Sequence, residues 1–201
     1  MSDPLRMFLV LRRGAVGTLE RAAVLGGAAA VACVREFAID PEWRERPGKV
    51  CLRARTLAQW EAVLEEPHAL AGEPEGESVA ALPPRRRSER GPLLERLQAM
   101  STDLGPAPAR LDGGHDGVTY ALNPALEMSS GKVVAQVAHA AVMAAEVLSE
   151  WARAGAPGRL VAPEDFAGLA AREDLAARVV DAGLTEVAPG TITVLALPPA
   201  G

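Results

Sequence analysis

Lys132 and Gln136 stand four residues apart, with His139 three further on, in the run Met128-Ser-Ser-Gly-Lys-Val-Val-Ala-Gln-Val-Ala-His-Ala140. Residues spaced by three and four share one face of a helix, so a lysine, an amide and an imidazole fall on one side of its first turns. Backbone N–H groups at a helix N-terminus, with a lysine beside them, make a natural seat for an anion or a developing oxyanion. Ser129 or Ser130 can cap this helix, and Gly131 lets another chain approach closely. Of 21 basic residues only Lys49 and Lys132 are lysines. The same spacing also fits a surface lysine and glutamine on an amphipathic helix. His139, set among alanines and valines, reads as a packed structural histidine.

A second run, Asp181-Ala-Gly-Leu-Thr-Glu-Val-Ala-Pro-Gly-Thr-Ile-Thr193, begins 53 residues after the start of the first. Asp181 ends a short apolar run, which places it at a strand end where a sheet edge opens to ligand. Gly183 allows a sharp turn. Gly190 and Thr191 open a last strand, in which Thr191 and Thr193 alternate with Ile192 and share a face. A carboxylate, a hydroxyl, an amide and an ammonium meeting in one cleft suit hydrolysis of an activated ester, with an orienter or base for water and donors for the oxyanion. An aspartate just before a glycine also serves as a turn or cap residue.

Taken together, the two runs resemble the type 2 peptidyl-tRNA hydrolase family of archaea and eukaryotes, with its Met-Ser-x-Gly-Lys-x-x-x-Gln-x-x-His-Ala signature and its Asp-Ala-Gly-x-Thr followed by Pro-Gly-Thr-x-Thr. The resemblance covers about residues 118–199. It implies a mixed sheet flanked by helices and hydrolysis of the ester between a peptide, or N-blocked amino acid, and the 3′ end of tRNA. It further implies a catalytic set of Lys132, Gln136, Asp181 and Thr191. Asp181 positions or deprotonates water, Lys132 and Gln136 polarise the carbonyl or hold the terminal phosphate, and Thr191 supports the aspartate or the water. Ser130, Gly131, Thr185 and Gly190 are the expected substrate-binding residues. No metal and no cofactor is expected.

The chain departs from the family pattern at Asn123, Ala125, Glu127 and Ser130. The family usually carries a basic residue and an aspartate before the signature methionine, and often more lysines within the signature. Fewer positive charges mean fewer phosphate contacts, which dominate nucleic-acid affinity. Two other readings therefore stand beside the tRNA ester. One is a repurposed hydrolase or acyl-transfer enzyme acting on a smaller aminoacyl or peptidyl ester. The other is a non-catalytic binding protein that keeps the fold.

The elements that must hold these residues recur along the chain. Gly17–Phe37 lies on Gly131–Trp151 at an offset of 114, and Val79-Ala-Ala-Leu-Pro-Pro84 lies on Val194-Leu-Ala-Leu-Pro-Pro199 at 115. Strands are expected at 6–13, 49–55, 79–82 and 191–197, and helices at 19–37, 57–66, about 92–100, 130–151 and 164–177. The fold class is α/β: two like α/β/α units, each a mixed sheet flanked by helices, arranged as a pseudo-dimer within one chain. The expected division is a degenerate unit over 1–84, a linker with the basic cluster Arg85–Arg90 over 85–119, and the motif-bearing unit over 120–201. At the 114 offset, Thr18, Ala22 and Leu25 face Lys132, Gln136 and His139, and His68 falls near Asp181. The first unit thus reads as a structural partner without catalytic groups.

Composition sets the outer limits. Across 201 residues, 49% hydrophobic and 23% charged is the ordinary globular mixture and excludes global disorder. A formal charge of −5 lacks the basic character of most nucleic-acid binders, so any phosphate ligand must meet a local patch. Cys33 and Cys51 sit in apolar segments without metal-ligand spacing and read as buried reduced thiols. No apolar run is long enough to span a bilayer. A cytoplasmic protein without a membrane partner is expected.

Overall fold

The computed structural model describes residues 3–101, 104–105, 116–183 and 186–200. Thr185 and His115 lie outside them. Two mixed sheets are present, each flanked by helices. In the first, β1 (Arg6–Arg12) is followed by the long helix α1 (Leu19–Glu36), the short α2 (Pro41–Glu45), β2 (Gly48–Ala54), α3 (Leu57–Glu65), β3 (Ala69–Gly72) and β4 (Ser78–Arg85). A 3-10 turn at Arg87–Glu89, α4 (Gly91–Arg96) and β5 (Gln98–Ala99) follow, so residues 85–100 are built onto the first sheet. The second unit runs β6 (Val118–Leu122), α5 (Ser130–Val147), α6 (Ser149–Arg153), β7 (Gly158–Val161), α7 (Phe166–Ala170), β8 (Ala177–Val180) and β9 (Ile192–Leu197).

The strand orders are β3-β4-β1-β2-β5 and β7-β6-β9-β8. Apart from β5, these are one topology written twice. β1 pairs parallel with β2 as β6 does with β7, β4 returns antiparallel to β1 as β9 does to β6, and β3 and β8 close the far edge. Even the short helices match. Trp43 of α2 donates from Nε1 to the Gly48 carbonyl at 2.9 Å, and Trp151 of α6 donates to the Pro157 carbonyl at 2.7 Å.

These pairings correct the register of the repeat. Thr18 caps α1 by accepting from the Arg21 amide, and Ser129 caps α5 by accepting from the Lys132 amide. The two caps are 111 residues apart, not 114. Val79 faces Leu11 as Val194 faces Leu122, which keeps 115 for the last strands. The offset therefore drifts, because the two units differ in loop length. Arg21 and Leu25 stand where the second unit has Lys132 and Gln136. Glu73 stands where it has Asp181: the Glu73 amide donates to the Glu77 carbonyl as the Asp181 amide donates to that of Thr191.

Prolines and caps account for other departures from the expected elements. β4 continues through Pro83 and Pro84 because its ladder with β1 is irregular there, between Arg6 and Phe8, where a missing N–H costs little. Pro41 starts α2 rather than breaking the chain, with Asp40 as its cap. The helix expected over 130–151 divides at Leu148, whose ψ of 63° is not helical. The helix expected over 164–177 shortens to α7.

The two units meet along α1 and α5, at the centre of the main core cluster. Both helices are rich in alanine, glycine and valine, and small residues let their backbones close up. A Cβ at Gly26 would come within 2.7 Å of Val134 Cγ1, and one at Gly27 within 3.1 Å of Ala141 Cβ. The glycines that weaken α1 as an isolated helix are what seat it against α5. Cys33 and Cys51 are buried free thiols, each pushed up to about 12 by burial. Among the described residues, no helix is long and apolar enough to cross a membrane.

Candidate active site

Asp181 follows β8 directly, and its carboxylate is the centre of a compact network. Oδ2 accepts from Lys132 Nζ at 2.5 Å and from Gln136 Nε2 at 2.6 Å. Oδ1 accepts from the Gly183 amide at 2.7 Å. Gln136 is itself fixed, because its Oε1 accepts from Thr193 Oγ1 at 2.9 Å. One helix, one strand end and one central strand thus hold a single carboxylate from three directions. The i, i+4 spacing on α5 does what a shared helix face requires.

The pair is nearly closed to solvent, with the Lys132 side chain 12% exposed and that of Asp181 6%. Burial pushes the Asp181 carboxyl upward. The Lys132 hydrogen bond and charge, the Gly183 amide and Gln136 outweigh it, so the group is held below its ordinary value of 3.8. Asp181 is an anion throughout the neutral range and a weak proton acceptor there. His139, two turns along α5, is driven down to about 3 by burial, with the Lys49 charge adding to the effect. A neutral, packed imidazole of this kind agrees with a structural role.

The substrate-binding residues expected from the sequence fall around this centre with different tasks. Ser130 is buried, and its Oγ accepts from the Leu104 amide at 3.4 Å. Gly131 has the Met100 backbone against it, and a Cβ there would run into the Met100 carbonyl. Gly190 holds a φ of 80° and donates to the Asp181 carbonyl at 2.8 Å. Gly183, at a φ of 74°, lies so near Pro189 that a Cβ would approach it to 2.6 Å. Thr185 lies outside the described residues.

Thr191 touches the network through its backbone. Its carbonyl accepts from the Asp181 amide at 2.9 Å, whereas the hydroxyl that enters the network belongs to Thr193. Sequence alternation put both threonines on one face. However, β9 begins only at Ile192, and its register with β8 shifts between Val179 and Val180, so Thr191 lies before the ladder. Glu186 is a second participant that spacing did not single out. Its carboxylate takes the Ser129 amide and the Ser129 hydroxyl, each at 2.7 Å, and so pins the loop after Asp181 to the start of α5.

Among the described residues, the first unit places no lysine, glutamine and aspartate together at the matching positions. Arg21, in the Lys132 place, pairs at 3.1 Å with Glu77, and Leu25 fills the glutamine place. Part of the Arg85–Arg90 cluster is turned to internal work. Arg85 pairs with Glu66, Arg86 pairs with Glu42 and reaches the Asp3 carbonyl, and the Asp3 carboxylate takes the Arg87 and Ser88 amides. Among the described residues, no group of three His, Cys, Asp or Glu side chains is placed to hold a metal ion.

Comparison with known proteins bears on the second unit. Residues 118–201 match the family described as Peptidyl-tRNA hydrolase PTH2. A Peptidyl-tRNA hydrolase of Methanopyrus kandleri is 38% identical over 88 residues, spanning 37% of this chain and 76% of that protein. No solved structure matches. The matched stretch contains all of the Lys132, Gln136, Asp181 and Thr193 network, and with it the chain belongs to the PTH2 family of peptidyl-tRNA hydrolases.

Proposed function

We propose that the chain hydrolyses the ester joining a peptide, or an N-blocked amino acid, to the 3′ end of tRNA, using one site in the second unit. The observation that carries this reading is the Asp181 carboxylate shared by Lys132 Nζ and Gln136 Nε2. It is supported by the family match over the same residues.

In this mechanism Asp181 orients the attacking water by accepting its hydrogen bond, since its lowered pKa makes it a poor base at neutral pH. Water adds to the ester carbonyl carbon and the carbonyl oxygen takes up negative charge. The Lys132 ammonium, at the N-terminal turn of α5, lies where its charge and the helix amides favour that oxyanion. The carbonyl–ribose oxygen bond then breaks, one proton of the attacking water passes to the ribose oxygen and the other is released to solvent, and the peptide leaves as a carboxylate. Gln136, locked by Thr193, keeps Asp181 and Lys132 in register. Ser130, Gly131 and Gly190 shape the approach of the acceptor end.

The first unit serves as a structural partner that covers α5, giving a pseudo-dimer within one chain, and the protein works in the cytoplasm. The test is release of labelled peptide from peptidyl-tRNA by the purified chain, with Asp181→Asn as control. Release that Asp181→Asn abolishes is the expected result. Cleavage of only small aminoacyl esters turns the reading to the smaller substrate, and no ester cleavage turns it to a binding protein.

A further inference from the structure

The cluster Arg85–Arg90 is one candidate for a local positive patch, but Arg85 and Arg86 are paired with Glu66 and Glu42, and the Asp3 carboxylate lies against the Arg87 and Ser88 amides. A different set gathers at the other end of the same sheet. Arg12 ends β1 and Arg13 follows it. Arg53 lies near the end of β2 and Arg55 just beyond it, with Leu11 facing Arg53 and Arg12 facing Ala54. Arg13 and Arg55 are exposed. The carboxyl ends of parallel strands are where open α/β sheets receive ligands.

This end of the first sheet adjoins the site of the second unit. β5 connects them: Gln98 faces Arg53, the Met100 amide donates to the Cys51 carbonyl at 3.0 Å, and Met100 packs on Gly131, beside Lys132. α5 packs against β2, and its N-terminal Gly131 lies at Met100 beside Cys51, with Arg53 and Arg55 further along the same strand line. At about 3.3 Å per residue, Arg53 and Arg55 lie about 7 and 13 Å beyond Cys51 along the strand line. The acidic turn of Glu73, Glu75 and Glu77 sits across β1, where it engages Arg21 and Arg12 rather than Arg13 or Arg55.

We propose that Arg13 and Arg55 form a ridge that grips RNA phosphates next to the Lys132–Asp181 site. The degenerate unit then supplies the positive charge that Asn123, Ala125, Glu127 and Ser130 do not. Guanidinium groups suit this task, since they pair with phosphate oxygens through two parallel N–H bonds. The inference rests on the reading of the substrate as a tRNA ester.

The experiment compares the full chain with Arg13→Ala/Arg55→Ala and with Arg44→Ala/Arg87→Ala. The last variant loses the same charge at the opposite end of the sheet. Hydrolysis of peptidyl-tRNA and binding of deacylated tRNA are followed across salt concentration. The ridge variant is expected to raise KM about tenfold and to flatten the slope of log affinity against log salt by about 1.4 to 1.8, the share of two phosphate contacts. The Arg44/Arg87 variant should keep both. If the unmodified chain hydrolyses peptidyl-tRNA and the ridge variant matches the Arg44/Arg87 variant, the ridge is overturned while the hydrolase reading stands. If the unmodified chain cleaves no peptidyl-tRNA, that reading fails, and the binding slope alone judges the ridge: flattened supports it, unchanged overturns it.

Discussion

Ser78 holds in the first sheet the place that Thr193 holds in the second, and its buried hydroxyl has no hydrogen-bond partner among the described residues. Thr193 donates to Gln136, whereas Leu25 stands at the glutamine position of α1. A buried hydroxyl without a partner costs free energy, and one with a partner contributes about 1 kcal/mol. Ser78→Ala should therefore leave the midpoint of thermal unfolding unchanged or raise it. Thr193→Val should lower stability by about 1 kcal/mol and lower turnover as well, by releasing Gln136. Calorimetry on both variants decides this, and equal losses would contradict the assignment.

Asp181→Asn keeps the shape of the side chain but removes the charge that anchors Lys132. Turnover should fall by about two to three orders of magnitude, the cost of losing one preorganised charge beside the reacting atoms. The pH dependence of stability gives an independent check. A carboxyl lowered in the folded state contributes stability that is fully present above its unfolded value near 3.8 and is lost as pH falls through the lower folded value. The unmodified chain should thus lose stability in that acid window more steeply than the asparagine variant.

The pH–rate profile should be flat across the mildly acidic range. Asp181 titrates below 3.8 and His139 near 3, so neither contributes a limb between about pH 5 and 7. A bell centred on neutral pH, measured on kcat, would count against Asp181 as a permanently ionised orienter.

Lys49 carries a cost that its replacement should remove. Its Nζ is buried without a hydrogen-bond partner among the described residues, 4.8 Å from the centre of the Trp43 ring, and burial pushes it down to about 7. Below about 7 the side chain is charged in both states. Between there and its ordinary 10.5 only the unfolded chain holds the proton, so stability should rise with pH across that window. Lys49→Met should raise the unfolding midpoint at pH 7 and flatten the rise. The contact with Trp43 offsets part of the gain.

Gly131→Ala tests the seam between the units. The added methyl meets the Met100 carbonyl, which is backbone and cannot swing aside, so residues 98–100 or α5 must shift. A loss of about 1 to 3 kcal/mol is expected, with turnover falling because Lys132 is the next residue. Denaturant unfolding and kinetics on the same preparation check both.

Much of this arrangement is legible in the sequence. Lys132 and Gln136 reveal themselves by helical spacing, and Asp181 by its place after an apolar run. The cap of α5 also falls on Ser129, one of the two serines that the sequence offers. What was not legible depends on partners distant in sequence. β3 is four residues long, holds two alanines and a glycine, and exists because β4 pairs with it. β5 is two residues that only β2 makes into a strand. Thr191 and Thr193 cannot be told apart by alternation, since the start of the ladder is set by pairing with β8. The register of the duplication drifts for the same reason: loops change length while paired strands hold their place.

Because α1 and α5 belong to one polypeptide, the contact sealed by Gly26 and Gly27 does not weaken on dilution. Two separate subunits meeting through such helices would trade monomer for dimer as concentration fell. Any replacement would also appear on both sides of their axis. In this chain a change at Leu25 leaves Gln136 untouched, and arginines can accumulate at Arg13 and Arg55 without crowding Asp181. The halves are free to differ.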